Sequence, residues 1–359
     1  MKQTFFILFG LLLLGIIAFF AWPEKSYQAY DVSAAYRAQV NRFTIPDMPD
    51  DWKWGAFTSE DGIKMRFGQT GNSGSARATV VMIPGYTATM DMYGEQVGHI
   101  ANRGYHVVGF DLRGQGGSER PRPSQPEKLL IEDFRIYSND VALFLEGLDI
   151  PNDRPVILMA MSFGGHVAFR VASEHPDLVD ALLLLAPALQ PKAGDMSFSE
   201  VTRLLKIGDA LGKDKKYLPG HTNWEPVNES DLLHLGEEPC ASSTKRMPMR
   251  DAVFTVRPEQ RVGGVTFNWG REFYGSSVYV LQSGYPESIK KPVAMIHSER
   301  DNFVETEINK AVCDTRMSNC VSVPIAGTGH CLLQETDHIL DQIYRSLDET
   351  VSRAVKEPA

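Results

Sequence analysis

Residues 155–166 read PVILMAMSFGGH, and this stretch decides the fold. An apolar run stops at Ser162, and a helical pattern follows directly. Ala160 and Gly164 lie two positions before and two after the serine, where larger side chains would collide across a tight turn. The pattern predicts a strand-turn-helix corner that holds Ser162 in a strained conformation with its hydroxyl exposed. A serine in an ordinary strand–helix turn is the alternative, but the partners that a nucleophile needs follow later in the chain.

Apolar runs of the same kind recur along the chain and alternate with helical patterns. Runs of this type, buried on both faces, predict an α/β fold with a mostly parallel sheet and helices on both faces. The predicted strands are IKMRFGQT, ATVVMIPG, YHVVGFD, PVILMAMS, DALLLLAPAL, KKPVAMIHSERD and VSVPIAG, and the predicted helices include YGEQVGHIANRG, IYSNDVALFLEGLDI, ETEINKAVCDTRMS and a long helix after His338.

The alternation divides the chain into a core and an insertion. Residues 190–288 contain short helical patterns and no clear strand. They follow the strand that comes after the helix beginning at Ser162, and there they would cover one edge of the sheet as a cap. The predicted segments are an anchor or signal at 1–22, a polar tether with a short helix near Val32–Val40 at 23–50, core at 51–189, the cap, and core at 289–359.

The N-terminal segment predicts a membrane-spanning helix. Thr4–Trp22 is apolar apart from its first residue, a length that just spans a bilayer core, and Pro23 would end the helix. A cleaved signal peptide is the alternative, although bulky Phe19 disfavours cleavage after Ala21. With Lys2 on the cytoplasmic side, we expect a single-pass protein of the cell (inner) membrane with its catalytic domain on the extracytoplasmic, periplasmic side, or a secreted protein if the segment is cleaved.

Composition excludes several functional classes. The 359 residues carry a formal net charge of −9 and no Lys/Arg-rich run, so no nucleic-acid partner is expected. Walker, His-Glu-x-x-His and Cys-x-x-Cys motifs do not occur in the sequence, and no cofactor or metal is predicted. Four cysteines suit an exported protein with at most two disulfides. Cys313 and Cys320 are close enough to pair, or to remain buried thiols, and Cys331 is interpreted as a packing residue.

Ser162 requires a base and an orienting carboxylate. His330, in the loop AGTGHC after the last strand, is the best candidate base, whereas His166 is interpreted as packing and His297 as a weaker candidate to line the site. Asp301 follows the strand VAMIH and is the predicted acid, with Glu299 as the alternative. The order Ser, Asp, His is that of α/β-hydrolases.

An oxyanion intermediate requires preorganised N–H donors. The backbone N–H of Phe163, directly after the nucleophile, is one predicted donor. The second is the backbone N–H of Tyr86, in the loop after the strand VVMIPG, where Gly85 allows the chain to turn. The side chain of Tyr86 is expected to be incidental to this role.

The chain resembles the α/β-hydrolase superfamily, and within it the serine aminopeptidase-like branch of monoglyceride lipases and bacterial lysophospholipases. Residues 83–120 resemble the branch's oxyanion loop, first helix and Asp-x-x-Gly-x-Gly-x-Ser turn, and RVGGVTFNWGREFY resembles the Gly-x-Thr-x-x-Trp stretch of the lysophospholipase cap. The resemblance covers roughly residues 55–350. Three positions depart from it: Pro84 replaces the usual His, Ala160 a Gly, and Ser298 a Gly.

The expected function is hydrolysis of carboxylic esters of monoacyl lipids, lysophospholipids or monoacylglycerols, through an acyl-enzyme. The cap is expected to form an apolar acyl pocket over Ser162, with candidate lining residues Leu204, Leu205, Phe267, Trp269 and Phe273. The alternatives are a peptidase or amidase, a small-ester esterase, and a non-catalytic hydrolase-like sensor.

Overall fold

The computed structural model of the protein describes residues 26–71, 74–150, 154–234 and 239–356. Eight strands form one sheet in the order β1-β2-β4-β3-β5-β6-β7-β8. The strands are β1 (Lys53–Thr58), β2 (Lys64–Gln69), β3 (Thr79–Ile83), β4 (His106–Phe110), β5 (Val156–Met161), β6 (Ala181–Leu185), β7 (Val293–Ser298) and β8 (Cys320–Ile325). Antiparallel pairing joins β1 to β2 and β2 to β4, and every other pair is parallel. The predicted mostly parallel sheet is confirmed.

Ten α-helices accompany the sheet in the described residues. They are α1 (Ala34–Val40), α2 (Gly94–Ala101), α3 (Arg135–Gly147), α4 (Phe163–Glu174), α5 (Phe198–Ala210), α6 (Met249–Val256), α7 (Phe267–Val280), α8 (Tyr285–Ser288), α9 (Thr306–Arg316) and α10 (Asp337–Lys356).

The central strands of the sheet are buried almost throughout, as their continuous apolar runs predict, and β5 departs only at its half-buried first residue, Val156. Every residue of β3, β4, β6 and β7 is buried. One apolar cluster lies between the sheet and helices α3 and α4, and it includes Phe144, Val167 and Phe169. A second cluster lies on the other face and includes Val97 of α2 and Leu347 of α10. Helices therefore cover both faces, as expected.

Strand β1 was not among the predicted strands. Its sequence KWGAFT has an exposed first residue and alternates between exposed and half-buried positions, as an edge strand does. The sequence pattern is weak here because only one face of the strand contacts the protein.

The insertion at 190–288 contains helices α5 to α8 and no strand in its described residues. Helix α5 lies directly on α7: a Cβ placed on Gly208 would come within 2.2 Å of the Phe267 ring. Helix α6 instead packs on the second cluster, where Phe254 is buried. The insertion is therefore attached to the core through both apolar clusters: Leu205 and Phe267 are buried in the first, and Phe254 is buried in the second.

The segment predicted as a tether is packed against both the insertion and the core rather than free. Tyr36 and Val40 of α1 are buried in the same cluster as Phe254. The hydroxyl of Tyr27 donates to Glu127 at 2.9 Å, and Arg261 donates to the carbonyl oxygen of Tyr30 at 2.7 Å. Although the segment is polar overall, it carries apolar side chains at helical spacing, and their burial explains why it is packed rather than free.

The predicted membrane helix, Thr4–Trp22, lies outside the described residues. Among the residues described, no helix combines the length and apolar character that a bilayer crossing requires.

Two disulfides join the four cysteines. Cys313 is bonded to Cys320, which confirms that pairing. The interpretation of Cys331 as a packing residue was wrong, because it is bonded to Cys240 across 91 positions of sequence. The second bond links the cap to the loop that carries His330.

Candidate active site

Ser162 occupies the turn between β5 and α4 with φ 53° and ψ −118°. A positive φ is rare for a residue with a Cβ, and such strain persists only where surrounding structure enforces it. Here the N–H of Ser162 donates to Leu185 O at 2.9 Å, and its carbonyl accepts from His166 N at 3.0 Å and Ala188 N at 2.9 Å. These bonds fix the predicted corner between the strand and the helix.

Small residues around Ser162 are required by close backbone approach. A Cβ on Gly164 would lie 2.4 Å from Pro84 O and 2.5 Å from Ile83 O, so no other residue fits without moving the backbone. A Cβ on Gly165 would come within 2.9 Å of Pro187. Ala160, the departure from the family pattern, is fully buried.

His330 connects Ser162 to Asp301. Its Nε2 lies 2.7 Å from Ser162 Oγ, and its Nδ1 lies 2.7 Å from Asp301 Oδ2. An ionised carboxylate only accepts, so Nδ1 carries the proton and Nε2 is the acceptor that faces the serine hydroxyl. The structure brings all three predicted side chains into one chain of hydrogen bonds.

Asp301 is held on both carboxylate oxygens. Oδ1 accepts from Phe303 N at 2.8 Å and Val304 N at 2.9 Å, and Oδ2 accepts from Ser298 Oγ at 2.7 Å as well as from His330. Burial raises the pKa of Asp301, but the hydrogen bond and charge of His330, with Ser298 and the backbone, outweigh burial and lower the pKa below its usual value. The carboxylate therefore stays ionised beside the imidazole.

Ser298 is a site residue that sequence reasoning missed. The family resemblance marks this position only as a departure from the usual Gly, whereas in the structure its hydroxyl donates to Asp301. The signal was a hydrogen-bonding residue three positions before the predicted acid at the end of a strand.

The weaker candidates lie elsewhere. Glu299 is exposed and accepts from Gly327 N at 2.7 Å, so it braces the His330 loop rather than the imidazole. His297 is buried with neither ring nitrogen hydrogen-bonded, and burial lowers its pKa to about 4. His166 is a packing residue, as predicted: it bridges Ala188 O at 2.9 Å and Ser276 Oγ at 2.7 Å.

The two backbone segments that carry the predicted oxyanion donors lie next to Ser162. The N–H of Phe163 is the first of helix α4, and the first amide groups of a helix have no partner within it. A Cβ on Gly85 would lie 3.2 Å from Ser162 Cβ and 3.8 Å from its Oγ, so the loop that carries Tyr86 passes directly beside the nucleophile.

The Tyr86 side chain makes contacts of its own, separate from the predicted role of its backbone N–H. Its hydroxyl donates to Gly264 O at 3.1 Å in the cap, and burial raises its pKa well above the usual value. Its ring lies 4.6 Å from that of Trp269. Tyr86 therefore connects the oxyanion loop to the Gly-x-Thr-x-x-Trp stretch of the cap.

An aromatic cluster covers the site from the cap side. The Trp269 and Phe163 ring centroids are 5.2 Å apart, and Trp269 Nε1 donates to Tyr137 Oη at 3.0 Å. Phe273 stacks on Phe134 at 5.5 Å. Of the predicted acyl-pocket residues, Leu205, Phe267, Trp269 and Phe273 are buried in this apolar cluster and Leu204 is half-buried against it.

No three or more His, Cys, Asp or Glu side chains come together as metal ligands in the part of the chain that the structure describes.

These features define a class: an α/β-hydrolase whose nucleophile is a serine. The family described as "Serine aminopeptidase, S33" matches residues 74–337, and the chain belongs to this family. It is therefore a serine hydrolase.

Relatives and solved structures agree with this assignment. The chain is 26% identical over 281 residues to lysophospholipase L2 of Escherichia coli strain K12, covering 76% of this chain and 79% of that protein. It is 22% identical over 275 residues to a probable lysophospholipase L2 of Haemophilus influenzae, covering 76% of this chain and 83% of that protein. A Saccharomyces cerevisiae monoglyceride lipase structure superposes with a TM-score of 0.65 at 16% identity, over 87% of this chain and 99% of that one. The last similarity shows the α/β-hydrolase fold.

Proposed function

We propose that the protein hydrolyses carboxylic esters of monoacyl lipids, lysophospholipids or monoacylglycerols, through an acyl-enzyme on Ser162. The observation that carries the proposal is the hydrogen-bonded chain from Ser162 to Asp301 beneath an apolar, aromatic cap. The relatives named lysophospholipase L2 support the lipid class.

In the proposed reaction, Ser162 Oγ attacks the ester carbonyl carbon while its proton passes to His330 Nε2. The N–H groups of Tyr86 and Phe163 stabilise the tetrahedral oxyanion. The carbon–oxygen bond to the alcohol then breaks, and His330 returns the proton to the departing alcohol. Water attacks the acyl-enzyme by the same path, releasing the fatty acid and restoring Ser162.

The role of Asp301 follows from its contacts. Its carboxylate accepts the Nδ1 proton, so it fixes the tautomer and orientation of His330 and stabilises the imidazolium that forms when Ser162 is deprotonated. Its lowered pKa keeps the carboxylate ionised beside the imidazole.

The apolar residues of the cap favour the proposal of a substrate with an acyl chain over that of a small ester. Each CH₂ of an acyl chain that leaves water contributes about 0.8 kcal/mol. Catalytic efficiency should therefore rise with chain length, provided that this energy is expressed in the transition state. A protein with a net charge of −9 gains little from an anionic headgroup, so zwitterionic or neutral glycerolipids are the favoured substrates.

A panel of lysophospholipid, monoacylglycerol, short ester and aminoacyl amide tests the proposal. We expect kcat/KM to climb from acetyl to medium and long chains in a series kept below the micellar threshold. A peak at acetyl or propionyl with a steady decline afterwards would identify a small-ester esterase. Preference for the aminoacyl amide would identify a peptidase. Failure to react with a fluorophosphonate would indicate a non-catalytic, sensor-like protein.

We further propose that Thr4–Trp22 anchors the protein in the cell membrane with its hydrolase domain on the extracytoplasmic side. The two disulfides support this placement, because stable disulfides form in oxidising compartments. N-terminal sequencing of the mature protein tests it. A mature chain that starts near Trp22 or Glu24 would show that the segment is a cleaved signal.

A further inference from the structure

Gln115 lies buried beneath the loop that carries Tyr86. It belongs to the turn after β4, and none of its surface is exposed. Its Nε2 donates to the carbonyl oxygen of Gly85 at 3.3 Å, and its Oε1 accepts from the N–H of Thr87 at 2.8 Å. A single side-chain amide therefore holds the residues on both sides of Tyr86.

This contact determines which way the Gly85–Tyr86 peptide unit faces. A trans peptide directs its C=O and its N–H to opposite sides. Because the Gly85 carbonyl is held by Gln115 and by Ala88 N, at 3.3 Å each, the N–H of Tyr86 points away from them. Gly85 itself lies against Ser162. Among the described residues, no group accepts a hydrogen bond from Tyr86 N–H, which leaves it available for a ligand.

The loop needs such a restraint because its backbone is strained. Thr87 has φ 60°, a conformation that is unusual for a β-branched residue. Relaxing that residue would rotate the neighbouring peptide units and turn the Tyr86 N–H away from the nucleophile. The hydrogen bond from Thr87 N to Gln115 opposes this rotation.

We infer that Gln115 is a positioning residue that sets the oxyanion hole by fixing the Gly85–Tyr86 peptide unit. The inference rests on the proposed function, in which Ser162 forms an acyl-enzyme. Gln115 contacts neither Ser162 nor His330, so it acts through Tyr86. Its side chain suits the task because an amide carries an NH₂ donor group and an oxygen acceptor at the same distance from its backbone.

The chemistry predicts how two substitutions behave. Gln115→Glu keeps the shape and the acceptor for Thr87 but replaces the donor with a carboxylate oxygen facing the Gly85 carbonyl. Gln115→Met keeps the approximate volume and removes both hydrogen bonds. Gln96→Met is the matched control, because Gln96 is also buried and donates to a backbone carbonyl, that of Leu333, away from this loop.

The test measures kcat, KM and inhibitor binding on one monoacyl ester with the full-length protein. We expect both Gln115 variants to lose about 10- to 100-fold in kcat with KM changed by less than about threefold, since a lost oxyanion donor costs about 10²–10³ in rate. Affinity for an alkyl boronic acid, which places an oxygen in the oxyanion hole, should fall in parallel. Affinity for a non-hydrolysable ether analogue of the substrate should stay constant, and Gln96→Met should keep both kcat and boronic acid affinity.

Each outcome has a distinct meaning. Wild-type kcat in the Gln115 variants, or a loss confined to KM or Tm, overturns the positioning role. A loss of kcat as large in Gln96→Met overturns it too. Full ester turnover by Ser162→Ala overturns the proposed function itself. If Gln115→Met does not fold, the near-isosteric Gln115→Glu carries the same test.

Discussion

The N–H of Cys331 donates to the carbonyl oxygen of Cys240 at 2.7 Å, and the same two residues are joined by a disulfide. Cys331 directly follows His330, whereas Cys240 belongs to the cap. The backbone that follows His330 is therefore attached to the cap, while the His330 imidazole is held by its hydrogen bond with Asp301. This double attachment makes the cap part of the structure that holds the base.

Removing that disulfide should lower both activity and stability. We expect Cys240→Ser/Cys331→Ser to lose several-fold in kcat, because the His330 loop is released from the cap. The loop that it closes, 91 residues, predicts a loss of roughly 4–5 kcal/mol in the free energy of unfolding, by the loop-entropy relation. Steady-state kinetics and denaturant unfolding measure the two effects.

The other disulfide supplies the matched control. Cys313→Ser/Cys320→Ser opens a separation of only 7 positions, which predicts about 2–3 kcal/mol, and it lies away from His330. Its kcat should stay near the wild-type value. Equal losses of kcat in the two pairs would show that the Cys240–Cys331 bond does not support the base. If the first pair does not fold, mild reduction of the folded wild type gives the same comparison.

Ser162→Ala should lose nearly all turnover, by about 10³-fold or more, because no other nucleophile in the described part of the chain is hydrogen-bonded to Nε2 of His330. Binding of a non-hydrolysable substrate analogue should be retained. Ser173→Ala, a serine near the other end of α4 whose hydroxyl contacts Ser288, is the control and should keep wild-type kcat. Ester turnover by the Ser162 variant at the wild-type rate would contradict the assignment.

Gly329→Ala should disturb the His330 loop. An added Cβ would lie 2.4 Å from Cys240 O, which is backbone and cannot move aside as a flexible side chain would. We expect a lower Tm together with a lower kcat. Gly98→Ala is the control, since beyond the backbone of its own helix no neighbouring group lies within 4 Å of its Cβ position in α2, and this change should stabilise the helix by up to about 1 kcal/mol. A Gly329 variant with unchanged Tm and kcat would exclude the close approach.

His166 should make stability depend on pH below neutrality. Burial lowers its pKa to about 3, so between that value and about 6.5 the unfolded chain binds a proton that the folded protein excludes. The stabilisation that the neutral His166 ring contributes is therefore fully present above pH 6.5. As the pH falls below that value, the free energy of unfolding decreases by about 1.4 kcal/mol per pH unit. Arg170, which donates to the same Ser276 hydroxyl, disfavours the protonated ring further.

His166→Asn isolates this contribution. The variant should be less stable than the wild type at pH 8, because the contact with Ser276 is lost, but its stability should fall less steeply between pH 6 and pH 4. Unfolding in denaturant at a series of pH values gives the two slopes. His297, with its own lowered pKa, remains in both proteins and contributes equally. Parallel curves would contradict the prediction.

The corner at Ser162 was predictable because its determinants are local. Strand, small residues, serine and helix are contiguous, and the steric demand at Gly164 follows from the turn itself. Asp301 and His330 are predictable because each follows a recognisable strand, β7 and β8 respectively, and parallel strands bring their carboxyl ends to one edge of the sheet.

Contacts between distant segments were not predictable in the same way. The partner of Cys331 is set by how the strandless cap folds back on the core, and no periodicity encodes that path. The roles of Gln115 and of the Tyr86 side chain depend on which loops meet at the sheet edge. The burial of Tyr36 depends on helix α6, which lies more than 200 positions later.

The first apolar cluster, on the α3 and α4 face of the sheet, contains residues of both the cap and the core. Trp269 of the cap and Phe163 of the core are in contact within it. Moving the cap away from the core as a rigid body would expose these rings to water together. The free-energy cost would be the loss of the buried apolar surface of several aromatic side chains. Heating should consequently produce one calorimetric transition rather than two. An enzyme engineer who exchanges this cap for that of another hydrolase would have to redesign the residues around Phe163 as well.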